Sequence, residues 1–141
     1  MKLSIEQKYQ IEYIKHPREM QILSSGEEYV FIWDGTAGAY IPRNGLMISL
    51  PEKLKLDENK YIMPEQLYNL SIEGELTEEL KMDEDERIYR KVISDIGEVW
   101  VDIQDIKKFG KLAEYRVQEN GGSICVTING AVKGVIQTRF L

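Results

Sequence analysis

The 141-residue sequence predicts an α+β fold, with antiparallel β-meanders and hairpins packed against two or three short helices. Three observations carry that expectation. The dipeptides Asp34-Gly35, Asn44-Gly45 and Asn129-Gly130 each stand between short apolar runs. This is the pattern of tight hairpins, whose turns need positive φ at positions that Asn, Asp and Gly tolerate. Helical spacing of apolar residues is confined to a few short stretches, such as Ile5, Tyr9 and Tyr13. No low-complexity linker or repeat by direct identity divides the chain, so residues 1–141 read as a single domain, with a helix-and-meander order that suggests two similar halves.

The elements follow in order. Ser4 and Gln7 form a capping box ahead of Ile5, Tyr9 and Tyr13, which predicts a helix from Ser4 to Ile14, ended before Pro17. The odd-numbered apolar set Leu3, Ile5, Tyr9, Ile11 and Tyr13 also suits a strand; the helix is preferred. Ser24-Ser25-Gly26 reads as a turn. Tyr29 to Trp33, Ala39 to Ile41 and Leu46 to Leu50 read as a three-stranded meander, with Pro42 closing its second strand and Gly38 marking a bulge or a close backbone approach. The charged stretch from Pro51 to Tyr61 reads as a surface connection. Pro64 suits the first helical position of a short helix with Leu67, Leu70 and Ile72 on its apolar face, stopped at Gly74.

Glu75 to Arg90 carries most of the acid and reads as a solvated loop or short helix, since like-charge blocks stay hydrated. Strands are expected at Ile88 to Ile96 and at Glu98 to Asp102, with a turn at Gly97. Asp102 suits an N-cap for a helix over Ile103 to Phe109, whose Lys107 and Lys108 complement the dipole and whose C-terminal stop is Gly110. Tyr115 to Val117 and the Asn120-Gly121-Gly122 turn lead into the closing hairpin. There Asn129-Gly130 is expected to set Ile128 opposite Ala131, Val126 opposite Lys133 and Ile124 opposite Val135.

Composition narrows function. Lys and Arg number 18 against 24 Asp and Glu, a net charge of −6. Direct high-affinity binding to nucleic acid rests on basic residues neutralising phosphates, so it is not expected, whereas a basic partner surface would suit. No apolar run approaches the roughly 18 residues that span a bilayer, and the N-terminus lacks the apolar core of a signal peptide. The reading is a cytoplasmic protein without membrane attachment. The single Cys125 sits between Ile124 and Val126 and reads as a buried, inert thiol.

Motifs of catalysis fail on inspection. Neither phosphate-binding glycine pattern is present, and Gly35-Thr36-Ala37-Gly38 lies in a hairpin rather than before a helix. One His and one Cys cannot build a structural zinc site, and His16 reads as a solvated loop residue. Asp83, Asp85 and Arg87 start like a calcium loop, but the sixth position is Ile88 and the twelfth Ser94. No cofactor, metal or catalytic residue is assigned. Trp33, Tyr40 and Trp100 alternate within strand runs and read as core. Should any face outward it becomes a partner anchor, because Trp and Tyr dominate binding hot spots. The candidate partner-binding residues are Trp33, Tyr40, Arg43, Glu84, Asp85 and Glu86.

The order of a helix, a strand ending in Asp-Gly, then GAYIP, VWVDIQDIKKFGK and VKGVIQTRFL resembles the divergent clamp-like proteins of phages and mobile elements related to the bacterial DNA polymerase sliding clamp. The resemblance implies helix-plus-meander units, a late strand followed by a helix, and a closing strand with an apolar run, an Arg and an apolar terminus, here Ile136, Arg139 and Leu141. It also implies a homo-oligomeric ring. The chain departs from the pattern where Gln137-Thr138 replace the usual Pro, and its length supplies one clamp domain rather than three. No peptide-cleft residue carries over.

The functional expectation is therefore a non-enzymatic, protein-binding accessory or regulator, bacterial or of a phage or mobile element, with clamp-like build as one form. Two alternatives stay open. One is an acidic inhibitor that uses the Glu75–Glu86 segment to occupy a basic nucleic-acid-binding surface. The other is a small-molecule-binding domain or small enzyme.

Overall fold

The computed structural model describes residues 3–50 and 63–141. The predicted surface connection at 51–61 lies outside them. The elements are α1 (Ile5–Lys15), β1 (Gln21–Ser25), β2 (Tyr29–Trp33), β3 (Ala37–Pro42), a 3-10 turn (Arg43–Gly45), α2 (Pro64–Asn69), β4 (Ser71–Met82), β5 (Ile88–Ser94), β6 (Gly97–Asp102), α3 (Ile103–Phe109), β7 (Ala113–Gln118), β8 (Ser123–Ile128) and β9 (Ala131–Gln137). All strand pairs are antiparallel, in the order β1-β2-β3-β9-β8-β7-β4-β5-β6. The α+β expectation holds in outline, with a chain that is mostly β.

Within this order a helix followed by a three-stranded meander occurs twice, as α1-β1-β2-β3 and as α3-β7-β8-β9, and the two meanders meet where β3 pairs with β9. Both helices lie on one face, where Ile5, Tyr9 and Phe109 join Val30, Ile32, Ala39, Val126 and Ile136 in the main core. Two seam positions have no room for a side chain: a Cβ at Gly134 would collide with the Gly38 carbonyl and come within 2.6 Å of the Phe109 ring, and one at Gly38 would collide with the Phe31 ring. The close approach predicted at Gly38 is thus real. β4, β5 and β6 extend the sheet beyond β7. The chain after β9 then returns to β6, where Trp100 and Arg139 exchange both backbone hydrogen bonds, at 3.0 and 2.8 Å. Six strands from β9 to β6 thereby close on themselves. Thr138, in the position of the expected Pro, donates its hydroxyl to the Gly121 carbonyl at 2.5 Å.

The helix at the N-terminus forms with both halves of its capping box. Pro64 opens α2, and Asp102 caps α3 by accepting from the Gln104 amide.

Five expectations are corrected. The Ser24-Ser25 turn is the end of β1, and the turn starts at Gly26, whose φ is 74°. No strand forms over Leu46 to Leu50: the chain leaves β3 through the 3-10 turn, and Leu46, Ile48 and Leu50 pack against the main core. The Gln10 side chain instead holds this segment, accepting from the Met47 amide at 2.6 Å and donating to the Gly45 carbonyl. The helix α2 ends at Asn69, and Gly74 lies inside β4, where the Tyr115 carbonyl and Val92 leave no room for a side chain.

The fourth correction is the largest: the acidic stretch expected to be a loop or helix forms much of β4 and the start of β5. Basic residues from β5 neutralise it. Arg90 pairs with Glu78 at 3.1 Å, and Lys91 reaches Glu79 at 2.8 Å and Glu98 at 2.9 Å. Opposite charges across a ladder stabilise pairing that like charges alone would oppose. Fifth, the closing hairpin keeps Ile128 opposite Ala131, but Lys133 is bulged out, so Val126 faces Gly134 and Ile124 faces Ile136. A bulge shifts register by one and exchanges the faces of all residues beyond it. Ile136, not Val135, therefore enters the main core, and Val135 joins the opposite face.

Candidate functional site

The side of the sheet away from α1 and α3 carries a second, smaller apolar layer. Alternation along β2 sends Val30 and Ile32 to the helices and Tyr29, Phe31 and Trp33 to this second face. Tyr40 on β3 stands opposite Phe31 in register. The four rings form a continuous ladder. Trp33 stacks on Phe31 with centroids 5.8 Å apart, Phe31 meets Tyr40 at 4.9 Å, and Tyr40 meets the edge of Tyr29 at 6.3 Å. Such tilted and offset contacts favour aromatic pairs beyond their buried area. Phe31 and Tyr40 form the buried floor, while Tyr29, Trp33, Leu23 and Val135 are half-buried. Burial drives the Tyr40 hydroxyl well above the ordinary phenol range, so it stays protonated.

α2 lies across this layer and seats Leu67 beside Cys125. A cavity opens on each side of it. One, about 470 Å3, lies among Tyr29, Tyr40, Pro42, Pro64, Tyr68 and Val132. The other, about 340 Å3, lies among Leu23, Phe31, Trp33, Tyr40, Leu67 and Val135. Tyr40 lines both.

Of the candidate partner-binding residues, the structure brings Trp33 and Tyr40 together through Phe31. Arg43 follows β3 and donates to the Ser24 hydroxyl at 3.2 Å and the Gly26 carbonyl at 3.1 Å. Glu84, Asp85 and Glu86 stand exposed in the β4–β5 turn, on the other side of β9, β8 and β7 from the ladder. Asp83 shapes that turn by accepting from the Asp85 and Arg87 amides, both at 2.9 Å, and from the Tyr89 hydroxyl at 3.0 Å. Trp100 is buried, with the Lys81 and Lys91 ammoniums 5.7 and 5.6 Å from its ring. Tyr29, Phe31 and Tyr68 were not singled out from sequence. The signal for the first two was present in the alternation of rings with Val30 and Ile32.

A second cluster joins α1, the β2–β3 turn and α3. Asp34 Oδ1 accepts from the amides of Thr36 and Ala37, both at 2.9 Å, and Oδ2 accepts from Lys108 at 2.7 Å and from the Tyr9 hydroxyl at 3.4 Å. Burial works against the Asp34 charge, but Lys108 and the two amides outweigh it and hold this carboxyl below its ordinary range. Asp105 is the weaker partner. Its Oδ1 receives only long contacts, 3.4 Å from Thr36 and 3.5 Å from Lys108, and its buried Oδ2 has no partner. Burial, with repulsion from Asp34 and Asp102, outweighs Lys108 and pushes this carboxyl up to about 6. The cluster ties three elements together through mutually satisfied charges, apart from that one oxygen. No group of metal-ligating side chains gathers among the described residues, and no helix there is long and apolar enough to cross a membrane.

Comparison of the chain with protein-family models, curated proteins and solved structures gives no match.

Proposed function

We propose that the protein is a non-enzymatic binding protein that captures a partner protein on the aromatic ladder of its second sheet face. The observation that carries this reading is the half-exposure of Tyr29 and Trp33 above a buried Phe31–Tyr40 floor, with a cavity at each end. Rings packed rigidly at one edge and open at the other lose little entropy on binding and supply large contact area, which is why Trp and Tyr carry most interface energy. The test compares partner capture by the native chain and by Trp33→Ala. Loss of a central Trp anchor costs about 2 kcal/mol or more, roughly thirtyfold in affinity. Circular dichroism must show that the variant is folded. Capture at unchanged affinity would remove the reading.

The repeated helix-plus-meander favours a second reading within the same class, a clamp-like assembly of several copies. Sedimentation equilibrium tests it: a discrete multiple of the monomer mass supports a ring, and a monomer at high concentration opposes it.

A further inference from the structure

How a partner is held follows from the sheet edge that borders the second face, and this step rests on the partner-binding reading above. The outer strands of the sheet are β1 and β6. The chain covers β6 itself, where Arg139 exchanges both backbone hydrogen bonds with Trp100. Among the described residues β1 pairs with β2 alone.

The phase of the ladder fixes which groups of β1 point outward. The Asp34 amide donates to the Ala37 carbonyl at 2.9 Å, and the Arg43 amide to the Glu28 carbonyl at 2.8 Å. Even-numbered residues of β2 therefore address β3, while Tyr29, Phe31 and Trp33 address Ser25, Leu23 and Gln21 of β1. Ile22 and Ser24 are left pointing away from β2. Ser24 is buried and its hydroxyl is held by Arg43 at 3.2 Å, so the accessible stretch is Gln21 to Leu23. At its centre the N–H and carbonyl of Ile22 have no partner among the described residues. Natural edges are blunted by charge, proline or a bulge. Gln21-Ile22-Leu23 has none of these and keeps continuous register with β2.

The surroundings define the occupant. Ile22 packs against the main core and Leu23 against the second layer, both half-buried. Gln21 and Leu23 also line the 340 Å3 cavity beside Trp33. Glu27 and Glu28, in the turn after β1, are exposed and in no ion pair among the described residues. A contact along three residues of edge, about 10 Å, falls far below the roughly 1,200–2,000 Å2 that a stable interface between folded bodies buries. A second copy would also bring another charge of −6 to the edge. A short basic segment gains from the same acid and can lower a side chain into the cavity.

We propose that β1 accepts an extended segment of the partner protein as an added strand. Its backbone pairs with Ile22, a long apolar side chain lies opposite Leu23, and a Lys or Arg stands at the end beside Glu27 and Glu28. In strand addition the main chain supplies affinity and alternate side chains supply specificity. Leu23 takes a non-hydrogen-bonded position in the new pair, where facing side chains come closest.

The test titrates the full chain, isotopically labelled for amide NMR, with a peptide of alternating Leu and Thr bearing one terminal Arg. Two further forms are N-methylated on alternate residues, one in each phase. An amphipathic helical peptide and a single-stranded oligonucleotide complete the set. The expected result is saturable binding of the unmodified peptide, with hydrogen exchange at the Ile22 amide slowed at least tenfold. Methylation in one phase should weaken binding at least tenfold, and in the other phase should be tolerated. Ile22→Pro removes the outward N–H but not the amides of Gln21 and Leu23 that face β2, and should abolish binding in a chain that circular dichroism shows to be folded. Replacing Glu27 and Glu28 by Gln should reduce the salt dependence. No peptide binding, an Ile22 amide that exchanges as fast in the complex as in the free chain, or equal effects of the two methylated forms overturns the inference. So does preference for the helical peptide or the oligonucleotide, or self-association that Ile22→Pro abolishes. If that happens while Trp33→Ala still abolishes partner capture, only the added strand fails. If Trp33→Ala leaves capture intact, the partner-binding reading itself fails.

Discussion

Replacing Asp105 by Asn removes a charge from a place where the fold holds it poorly. The carboxyl side chain is 4% exposed, one oxygen has no partner, and the nearest ammonium is 3.5 Å away and already committed to Asp34 at 2.7 Å. Its pKa of about 6 in the fold compares with about 3.9 in an unfolded chain, a difference worth about 3 kcal/mol. The sign follows from which state binds the proton more tightly. The folded state does, so this group's contribution to stability is fully present below about pH 4 and is lost as pH rises through about 6. Asp34 behaves oppositely. Its lowered pKa gives stability that is present above the ordinary carboxylate range and lost only as pH falls through the lower folded value, so the two windows do not coincide. The amide hydrogens that Asp105→Asn introduces meet no acceptor, which costs about 1–3 kcal/mol at every pH. The decisive quantity is therefore the change with pH. Relative to the native chain, Asp105→Asn should gain about 3 kcal/mol between pH 4 and pH 8, measured by urea unfolding followed by Trp fluorescence. A stability difference that stays constant across that range would refute the claim that Asp105 is a desolvated carboxylate.

Further expectations concern the seam and the closing hairpin. Gly134→Ala forces a methyl group against the Gly38 carbonyl and the Phe109 ring, and overpacking of this kind should cost about 1–3 kcal/mol or more by denaturant melts. Cys125 is fully buried, and burial pushes its thiol up to about 11. Labelling by thiol reagents should be slow without denaturant and fast with it, and fast labelling of the folded chain would mean that α2 does not cover β8. Truncation after Asn129 removes Ile136 from the main core and Val132 and Val135 from the second layer, at about 1.5–3 kcal/mol for each large side chain fully buried. It also strips β3 and β8 of a partner strand. The product should be unfolded by circular dichroism. Phe140 adds little, being 72% exposed.

What sequence could show was local. The capping box of Ser4 and Gln7, the N-cap at Asp102 and the tight turn at Asn129-Gly130 each act within a few residues, and each appears where expected. What it missed depends on neighbours distant in sequence. Glu78 and Glu79 can lie in a strand because Arg90 and Lys91 come alongside from β5. Leu46 to Leu50 does not, and is held instead by Gln10 from α1 while Leu46, Ile48 and Leu50 pack against the main core. The bulge at Lys133 leaves no turn signature, and its ammonium is anchored by Glu6 from α1. The site divides in the same way. Trp33 and Tyr40 were visible as rings in strands, but only the register of β2 against β3 places Phe31 between them, and only the docking of α2 adds Tyr68.

The central claim is that the aromatic ladder is a contact surface, and Trp33 is its natural reporter. With Trp100 replaced by Phe, Trp33 is the only indole in the chain. Acrylamide quenching of its fluorescence can then be measured for the protein alone and for the protein saturated with its captured partner. The account predicts a quenchable Trp33 in the free protein that becomes shielded on partner binding, while Trp100 in a Trp33→Phe background is equally protected in both states. A Trp33 that remains as quenchable in the complex as in the free protein would contradict it.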